Sequence, residues 1–254
     1  MKIDLLSRAQ LEILNKRGPE YNLQDAEKDY FLALILNVVY QSRLQEALVF
    51  KGGTAIYHCY LDQIRFSKDL DFTSQVKLTA SDLKGVFSKY EIFTLKDVQE
   101  KKFGVDLALQ YRGVLAQRDT IEININTNQK VLCEPVMIEY KNYYGVRLDC
   151  RVMDKKEIFA EKIRTVNDRA RPRDPYDLII LQKKFGLKLD EGLKLLGKKE
   201  MFRPLDKERI AENLRICYER FDDEMKELYY RQVVDKEAVK NLADEIDRAM
   251  RMSS

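Results

Sequence analysis

The sequence predicts an α+β fold, in which a mixed sheet flanked by helices is followed by a C-terminal helical domain. Three observations predict it. Apolar residues recur at helical spacing before residue 46, short strand-like segments follow up to residue 140, and helical spacing returns from about Asp154 onward. We therefore place a domain boundary near residue 150, with a first domain over residues 1–150 and a helical domain over residues 151–254.

The first domain is predicted to begin with two helices, over residues 5–17 and 23–45. A short strand, 47–50, then turns at Gly52 and Gly53 into a helix that Thr54 would cap. The remaining predicted elements are a strand over 70–76, a helix over 79–90, and extended segments over 91–98, 103–112, 119–127 and 131–140.

The second domain is predicted to contain helices over residues 155–169, 175–185, 188–196 and 206–220, and a last one over 222–250 with at least one break. Asp174 followed by Pro175 indicates an N-cap with proline at the first helical position. Asp177 would then lie in the first turn, where the helix dipole favours a carboxylate. These structural roles alone would explain both aspartates.

Composition excludes several classes of protein. Lysine and arginine total 45 against 42 aspartates and glutamates, so overall charge does not indicate a polyanionic partner. The four cysteines are scattered and there is one histidine, so neither structural zinc nor a disulfide framework is expected, and a reducing cytoplasm fits. The first ten residues carry charge where a signal peptide needs apolar residues, and no run approaches the ~20 apolar residues of a membrane span. We expect a soluble cytoplasmic protein that does not bind membranes.

The segment KGGTAIYHCYLDQIRFSKDLDF, residues 51–72, combines a glycine turn with a pair of aspartates. Residues two apart on a strand face the same way, so Asp69 and Asp71 would present two carboxylates side by side. Such a pair favours a cation, and magnesium would bind it together with triphosphate oxygens. Backbone N–H groups of the turn would bind the outer phosphates. Candidate nucleotide-binding residues are Lys51, Gly52, Gly53, Thr54, Arg65 and Ser67.

Two further segments carry candidate catalytic residues. In DTIEININ, Glu122 lies on the polar face of a strand and would be a third metal-binding carboxylate that helps to deprotonate the attacking hydroxyl, although most such residues are simply solvated. In EIFAEKIRTVNDRA, Lys162 borders an apolar helical stripe and would neutralise triphosphate charge as pyrophosphate leaves. A lysine whose stem covers the core gives the same pattern.

At KGGTAIYHCY…RFSKDLDF and FAEKIRTVNDRARPRDPYDL, the sequence resembles the AbiEii/AbiGii toxin family of nucleotidyltransferases, within the DNA polymerase β-like superfamily. The resemblance covers roughly residues 47–181. It implies a polymerase β-like nucleotidyltransferase domain, a metal-binding pair at Asp69 and Asp71, and phosphate binding at residues 52–54. It also implies a functional lysine at Lys162 and an acidic residue at Asp177. The sequence departs from the wider superfamily in the fifteen residues between Gly53 and Asp69 and in having Glu122 where aspartate is more familiar.

Members of this family resemble the toxin half of toxin–antitoxin pairs, some of which transfer nucleotides to the acceptor end of tRNA. The resemblance therefore implies a Mg²⁺- or Mn²⁺-dependent enzyme that transfers NMP from an NTP to an RNA 3′-hydroxyl, with tRNA one candidate acceptor and a cognate antitoxin as partner. Two alternatives stay open: nucleotidylation or phosphorylation of a protein hydroxyl, and a non-catalytic nucleotide-binding protein.

An RNA acceptor would need a basic surface. The candidates fall within residues 183–199 and are Lys183, Lys184, Lys188, Lys194, Lys198 and Lys199. Solvated helix faces produce similar runs of lysine, so this surface is a hypothesis for the structure to examine.

Overall fold

A computed structural model describes residues 1–199, 203–227 and 229–253. The chain divides into two compact units. The first contains residues 1–129 and 135–153, and the second contains Lys130–Glu134 together with the described residues from Asp154 onward. The segment Lys130–Glu134 thus belongs to the second unit although it lies between two strands of the first in sequence. The predicted α+β class is confirmed.

Two helices precede the sheet in the first unit. Helix α1, Arg8–Arg17, begins one residue after Ser7, which forms a capping box with Gln10. Helix α2, Leu23–Tyr40, is buried over most of its length. The predicted helix 23–45 was too long, because the Ser42 hydroxyl donates to the carbonyl of Val39 and the chain turns there. The helix α3, Gly52–Ala55, is followed by a π-helical turn, Ile56–Tyr60, and α4 spans Ala80–Phe87.

The first unit is built on a mixed seven-stranded sheet. Its strands are β1 Leu48–Lys51, β2 Leu70–Ser74, β3 Phe93–Lys101, β4 Gly104–Arg112, β5 Arg118–Asn126, β6 Val136–Glu139 and β7 Asp149–Val152. They lie in the order β3-β4-β5-β2-β1-β7-β6. Pairing is parallel between β2 and β5 and between β1 and β7, and it is antiparallel elsewhere. Strand β7 was not predicted from the sequence, and the predicted segment 131–140 forms a strand only over Val136–Glu139.

The second unit is helical. Its helices are α5 Lys155–Asp168, α6 Arg173–Phe185, α7 Leu189–Leu196, α8 Lys207–Glu227 and α9 Lys236–Ser253. The predicted helix end at residue 220 was wrong, because the buried Phe221 continues α8. The predicted cap at Asp174 was also wrong. Helix α6 begins at Arg173, and the Asp174 side chain contacts Lys162 and Arg169 instead.

None of the helices in the described ranges combines the length and the apolar character needed to cross a lipid bilayer.

Candidate functional site

The glycine turn after β1 lies directly against polar side chains. Gly52 has a φ of 78°, and a Cβ atom at this position would collide with the carboxylate of Asp71. A Cβ atom at Gly53 would lie 2.8 Å from Nη2 of Arg65 and 2.8 Å from Oγ of Ser67. Position 52 therefore requires glycine, Gly53 is closely packed, and the turn brings together the predicted residues Asp71, Arg65 and Ser67.

Thr54 does not cap the helix, contrary to the prediction. Helix α3 begins at Gly52, and its N-cap, Lys51, makes no side-chain capping hydrogen bond. The buried hydroxyl of Thr54 instead donates to the backbone carbonyl of Asp69 over 2.6 Å. This hydrogen bond from Thr54 therefore holds the turn against the segment that carries the aspartate pair.

Asp69 and Asp71 lie on the opposite side of β2 from the core. Asp69 immediately precedes the strand and Asp71 is its second residue, and both are half-buried, whereas Leu70 and Phe72 are fully buried. This arrangement follows from the two-residue period of a strand. The pairing register sets Asp71 opposite Lys51 on β1 and opposite Asn124 on β5. The central carboxylate thus has a cationic and an amide residue on its two flanking strands.

Asn124 also contacts the aspartate pair, although its role was not predicted from the sequence. Its Nδ2 donates to Oδ1 of Asp71 over 3.3 Å. The predicted third carboxylate, Glu122, lies two residues earlier on β5 and is exposed. Within the described residues, no group of three or more histidines, cysteines, aspartates or glutamates is arranged to hold a metal ion. The role of Glu122 as a third metal-binding carboxylate stays a prediction. The alternation of Glu122 and Asn124 was visible in the sequence, but the strand register that sets Asn124 opposite Asp71 was not.

Two buried cations accompany the aspartate pair in the first unit. The ammonium of Lys51 donates to Oε1 of Gln129 over 2.8 Å. The guanidinium of Arg65 lies 4.7 Å from the centre of the Tyr57 ring, and its Nη1 donates to the carbonyl of Phe66. Both side chains are at least nine-tenths buried. Their positive charges are therefore held in fixed positions beside the turn and the strand.

In the second unit, Lys162 of α5 lies between two fully buried aspartates of α6. Its ammonium is 2.6 Å from Oδ2 of Asp177 and 3.2 Å from Oδ1 of Asp174. Arg169 also pairs with Asp174, at 2.8 Å. Burial raises the pKa of Asp174, but Lys162 and Arg169 outweigh burial, so this pKa lies below its usual value. Asp177 was predicted to lie in the first turn of its helix. It is instead the fifth residue of α6, because the helix begins at Arg173.

The predicted basic surface needs one correction. Lys199 is buried, and its ammonium lies 2.6 Å from carboxylate oxygens of both Glu157 and Glu161. It therefore neutralises an internal pair of glutamates and cannot contribute to an exposed surface. The other five lysines of the predicted surface are exposed.

Comparison with known proteins identifies a family. The family described as "Nucleotidyl transferase AbiEii toxin, Type IV TA system" matches residues 34–251. Among solved structures, MenT4, a nucleotidyltransferase toxin from Mycobacterium tuberculosis H37Rv, is similar with a TM-score of 0.61 and 17% identity over 98% of this chain and 93% of that one. JHP933 from Helicobacter pylori is similar with a TM-score of 0.57 and 19% identity over 91% of this chain and 93% of that one. No curated protein sequence matches. At these identities the two structures show a shared fold.

Proposed function

The chain belongs to the nucleotidyl transferase AbiEii toxin family of type IV toxin–antitoxin systems, and we propose that it transfers a nucleoside monophosphate from an NTP to the 3′-hydroxyl of an RNA. A tRNA is one candidate acceptor, and a cognate antitoxin is the expected partner. One observation carries this proposal: Asp69 and Asp71 lie on one face of β2, and Asp71 touches the glycine turn.

The family implies a divalent metal, and the residues at the turn fit Mg²⁺ or Mn²⁺. Mg²⁺ usually binds through one or two carboxylates plus substrate phosphates and waters, so two aspartates suffice. Asp69 and Asp71 would hold it. Their half-buried carboxylates lie beside a turn whose two glycines carry no side chains of their own. When bound, the metal would neutralise triphosphate charge and hold the α-phosphate in position.

The other residues of this site would bind and orient the nucleotide. Backbone N–H groups at Gly52 and Gly53 are suited to the outer phosphates, as at other glycine turns that precede a helix. Lys51 and Arg65 supply buried positive charge on the same side, and Ser67 supplies a hydroxyl. In the proposed reaction the acceptor oxygen bonds to the α-phosphorus, the anhydride bond to the β-phosphate breaks, and pyrophosphate leaves.

We also propose catalytic roles for Lys162 and Asp177, which the family resemblance assigns. The ammonium of Lys162 is buried between Asp177 and Asp174, so its orientation is fixed by two carboxylates. A fixed cation stabilises negative charge that develops during phosphoryl transfer more effectively than a mobile one, because it needs no reorganisation. Asp177 would then act by positioning Lys162.

The experiment that tests the proposal is incubation of the purified protein with each NTP, labelled at the α-phosphate, in the presence of Mg²⁺, total cellular RNA and lysate protein. The Asp71→Asn variant should transfer label at a rate lower by at least about 100-fold, because one of two metal-binding carboxylates is lost. Asp97→Asn changes an exposed aspartate on β3 in the same way and should leave the rate unchanged.

The distribution of label identifies the acceptor. Label on small RNA that depends on Asp71 supports the proposal and identifies the nucleotide. Label that protease removes and ribonuclease does not would show that a protein hydroxyl is the acceptor. If no NTP gives label above the level of Asp71→Asn, the proposed transfer is wrong, and a non-catalytic nucleotide-binding role takes its place.

A further inference from the structure

A pocket in the second unit has an apolar floor and a cationic rim. Its volume is about 290 Å³, and it lies where α5 and α7 meet the segment Lys130–Glu134. Its apolar lining residues are Phe159, Leu187 and Leu195, of which Leu195 is half-buried and the other two are buried. None of the residues assigned to the proposed site lines this pocket.

Four lysines line the pocket, and they come from two places in the sequence, α5 and the segment 188–198 that contains α7. Lys156 lies on α5, Lys188 and Lys194 lie at and within α7, and Lys198 follows α7. All four are exposed, and one carboxylate, that of Glu191, accompanies them in the lining. Lys194 also pairs with Asp190, at 3.6 Å. Lys156 of α5 lines the same apolar depression as the three lysines of α7 and its ends, so positive charge from two helices is localised there.

The walls of the pocket are held in place before any ligand binds. The fully buried carboxylate of Glu157 accepts hydrogen bonds from the backbone N–H groups of Leu132, at 3.0 Å, and Cys133, at 2.8 Å, and it also pairs with Lys199. A Cβ atom at Gly192 would lie 3.0 Å from ring carbons of Phe159, so only glycine allows α7 to pack this closely against α5. A preformed pocket loses little entropy when it binds a ligand.

We propose that this pocket binds the acceptor RNA, with one nucleobase on the apolar floor and the neighbouring phosphates on the lysines. This proposal rests on the proposed function, because that function makes RNA the acceptor. A single-stranded RNA carries one negative charge per nucleotide beside a flat, largely apolar base, so a single ligand matches both the rim and the floor. Phe159 precedes Lys162 by three residues on α5, which sets the pocket and the proposed catalytic lysine on neighbouring parts of one helix.

Cys133 makes occupancy of the pocket measurable. It lines the pocket and is partly exposed, whereas Cys59, Cys150 and Cys217 are buried, so a maleimide should label Cys133 first in the folded protein. Burial and the neighbouring Glu157 raise the pKa of the Cys133 thiol, so labelling is carried out at mildly alkaline pH. The test measures the labelling rate of the full chain with and without a fluorescent single-stranded RNA, and RNA affinity by anisotropy. Neither NTP nor metal is added.

RNA should slow the labelling of Cys133 by about fivefold or more at saturation. The double variant Lys188→Glu/Lys198→Glu should weaken RNA binding by about tenfold and should reduce the dependence of affinity on salt, because two phosphate contacts are lost. The matched control is Lys183→Glu/Lys184→Glu, which changes the same charge at exposed positions of α6 outside the pocket, and it should change affinity by less than about twofold. Labelling of buried cysteines identifies any variant that has unfolded.

Several results would overturn the proposal. Equal weakening by both double variants would show a general electrostatic field, and RNA binding without protection of Cys133 would place the RNA elsewhere. Stronger protection by a Glu/Asp-rich peptide with a central leucine pair would assign the pocket to a protein partner, and equal protection by a mononucleotide would assign it to a free nucleotide. Because the readout needs no turnover, loss of the proposed transfer activity and loss of this pocket's role are separately visible.

Discussion

Replacement of Lys162 by methionine tests the buried ion pair that links α5 and α6. Methionine keeps the length and the apolar stem of lysine but removes the ammonium. Asp174 and Asp177, both with fully buried side chains, then lose a cation that lies 3.2 Å and 2.6 Å away. Removing one partner of a buried pair costs about 3–5 kcal/mol, because the remaining charge stays out of water. Asp174 keeps Arg169 at 2.8 Å, so we expect a loss near the lower limit, about 3 kcal/mol.

The dependence of this loss on pH follows from the pKa of Asp174. In the native chain burial raises this pKa, but Lys162 and Arg169 outweigh burial and set it below its usual value. The stability that this carboxylate contributes is therefore present at neutral pH and is lost only as pH falls below the unfolded-state pKa of about 4. In the variant, only Arg169 opposes the effect of burial, so the pKa of Asp174 is higher than in the native chain. Protonation then relieves the cost of the buried charge, so the difference in stability between the two proteins shrinks as pH falls below about 7.

Urea unfolding followed by circular dichroism at several pH values measures this difference. Lys194→Met removes a cation from an exposed pair with Asp190, at 3.6 Å, and should cost less than about 1 kcal/mol. A loss below about 1 kcal/mol for Lys162→Met, or a loss that does not change between about pH 7 and pH 5, would refute the buried ion pair as its source. Lys199→Met provides a second control, because Lys199 is also buried between two carboxylates, those of Glu157 and Glu161. This replacement should lower the free energy of unfolding by as much as Lys162→Met. The Lys162 variant should also lose transfer activity per folded molecule.

Two more predictions concern the turn and the strands of the first unit. Gly52→Ala should lower the transfer rate by about 100-fold, because a Cβ atom at a φ of 78° collides with Asp71 and displaces its carboxylate, and rates of labelled transfer by folded variant protein would check this. Asn124→Ala should lower the transfer rate by about tenfold through the lost hydrogen bond to Asp71. Glu122→Gln, at an exposed position, should leave the rate within about threefold, and a larger loss for Glu122→Gln than for Asn124→Ala would identify Glu122 as the third acid.

Local periodicity made the aspartate pair predictable. Alternation along a strand depends only on neighbouring residues, and it correctly set Leu70 and Phe72 in the core with Asp69 and Asp71 on the other face. The turn at Gly52 and Gly53 was also predictable, because glycine pairs between a strand and a helix mark turns. The role of Asn124 was not predictable, because it depends on the parallel pairing of β2 with β5. Asn124 and its hydrogen-bond partner Asp71 are 53 residues apart in the sequence.

The errors in the second unit share one physical cause. Asp174 was expected to cap a helix and Lys199 to lie on the surface, and both expectations weighed a side chain against its sequence neighbours alone. Asp174 instead pairs with Lys162, twelve residues away, and Lys199 pairs with Glu161, 38 residues away. Tertiary contacts override local capping and charge patterns when they satisfy a charge that is already buried.

Lys162 and Lys199 have similar surroundings, although we propose a catalytic role for Lys162 alone. Lys162 and Lys199 each lie between two carboxylates inside the second unit, at similar distances and with similar burial. Electrostatic stabilisation of the fold therefore explains both equally, and burial alone does not distinguish a catalytic lysine from a structural one. The proposed catalytic role of Lys162 rests on the family to which the chain belongs, whereas Lys199 fixes Glu157 and thereby the wall of the lysine-rimmed pocket. In the two proposals together, neighbouring turns of α5 have different functions. Glu157 and Phe159 shape the pocket for RNA, and Lys162 acts in nucleotide transfer.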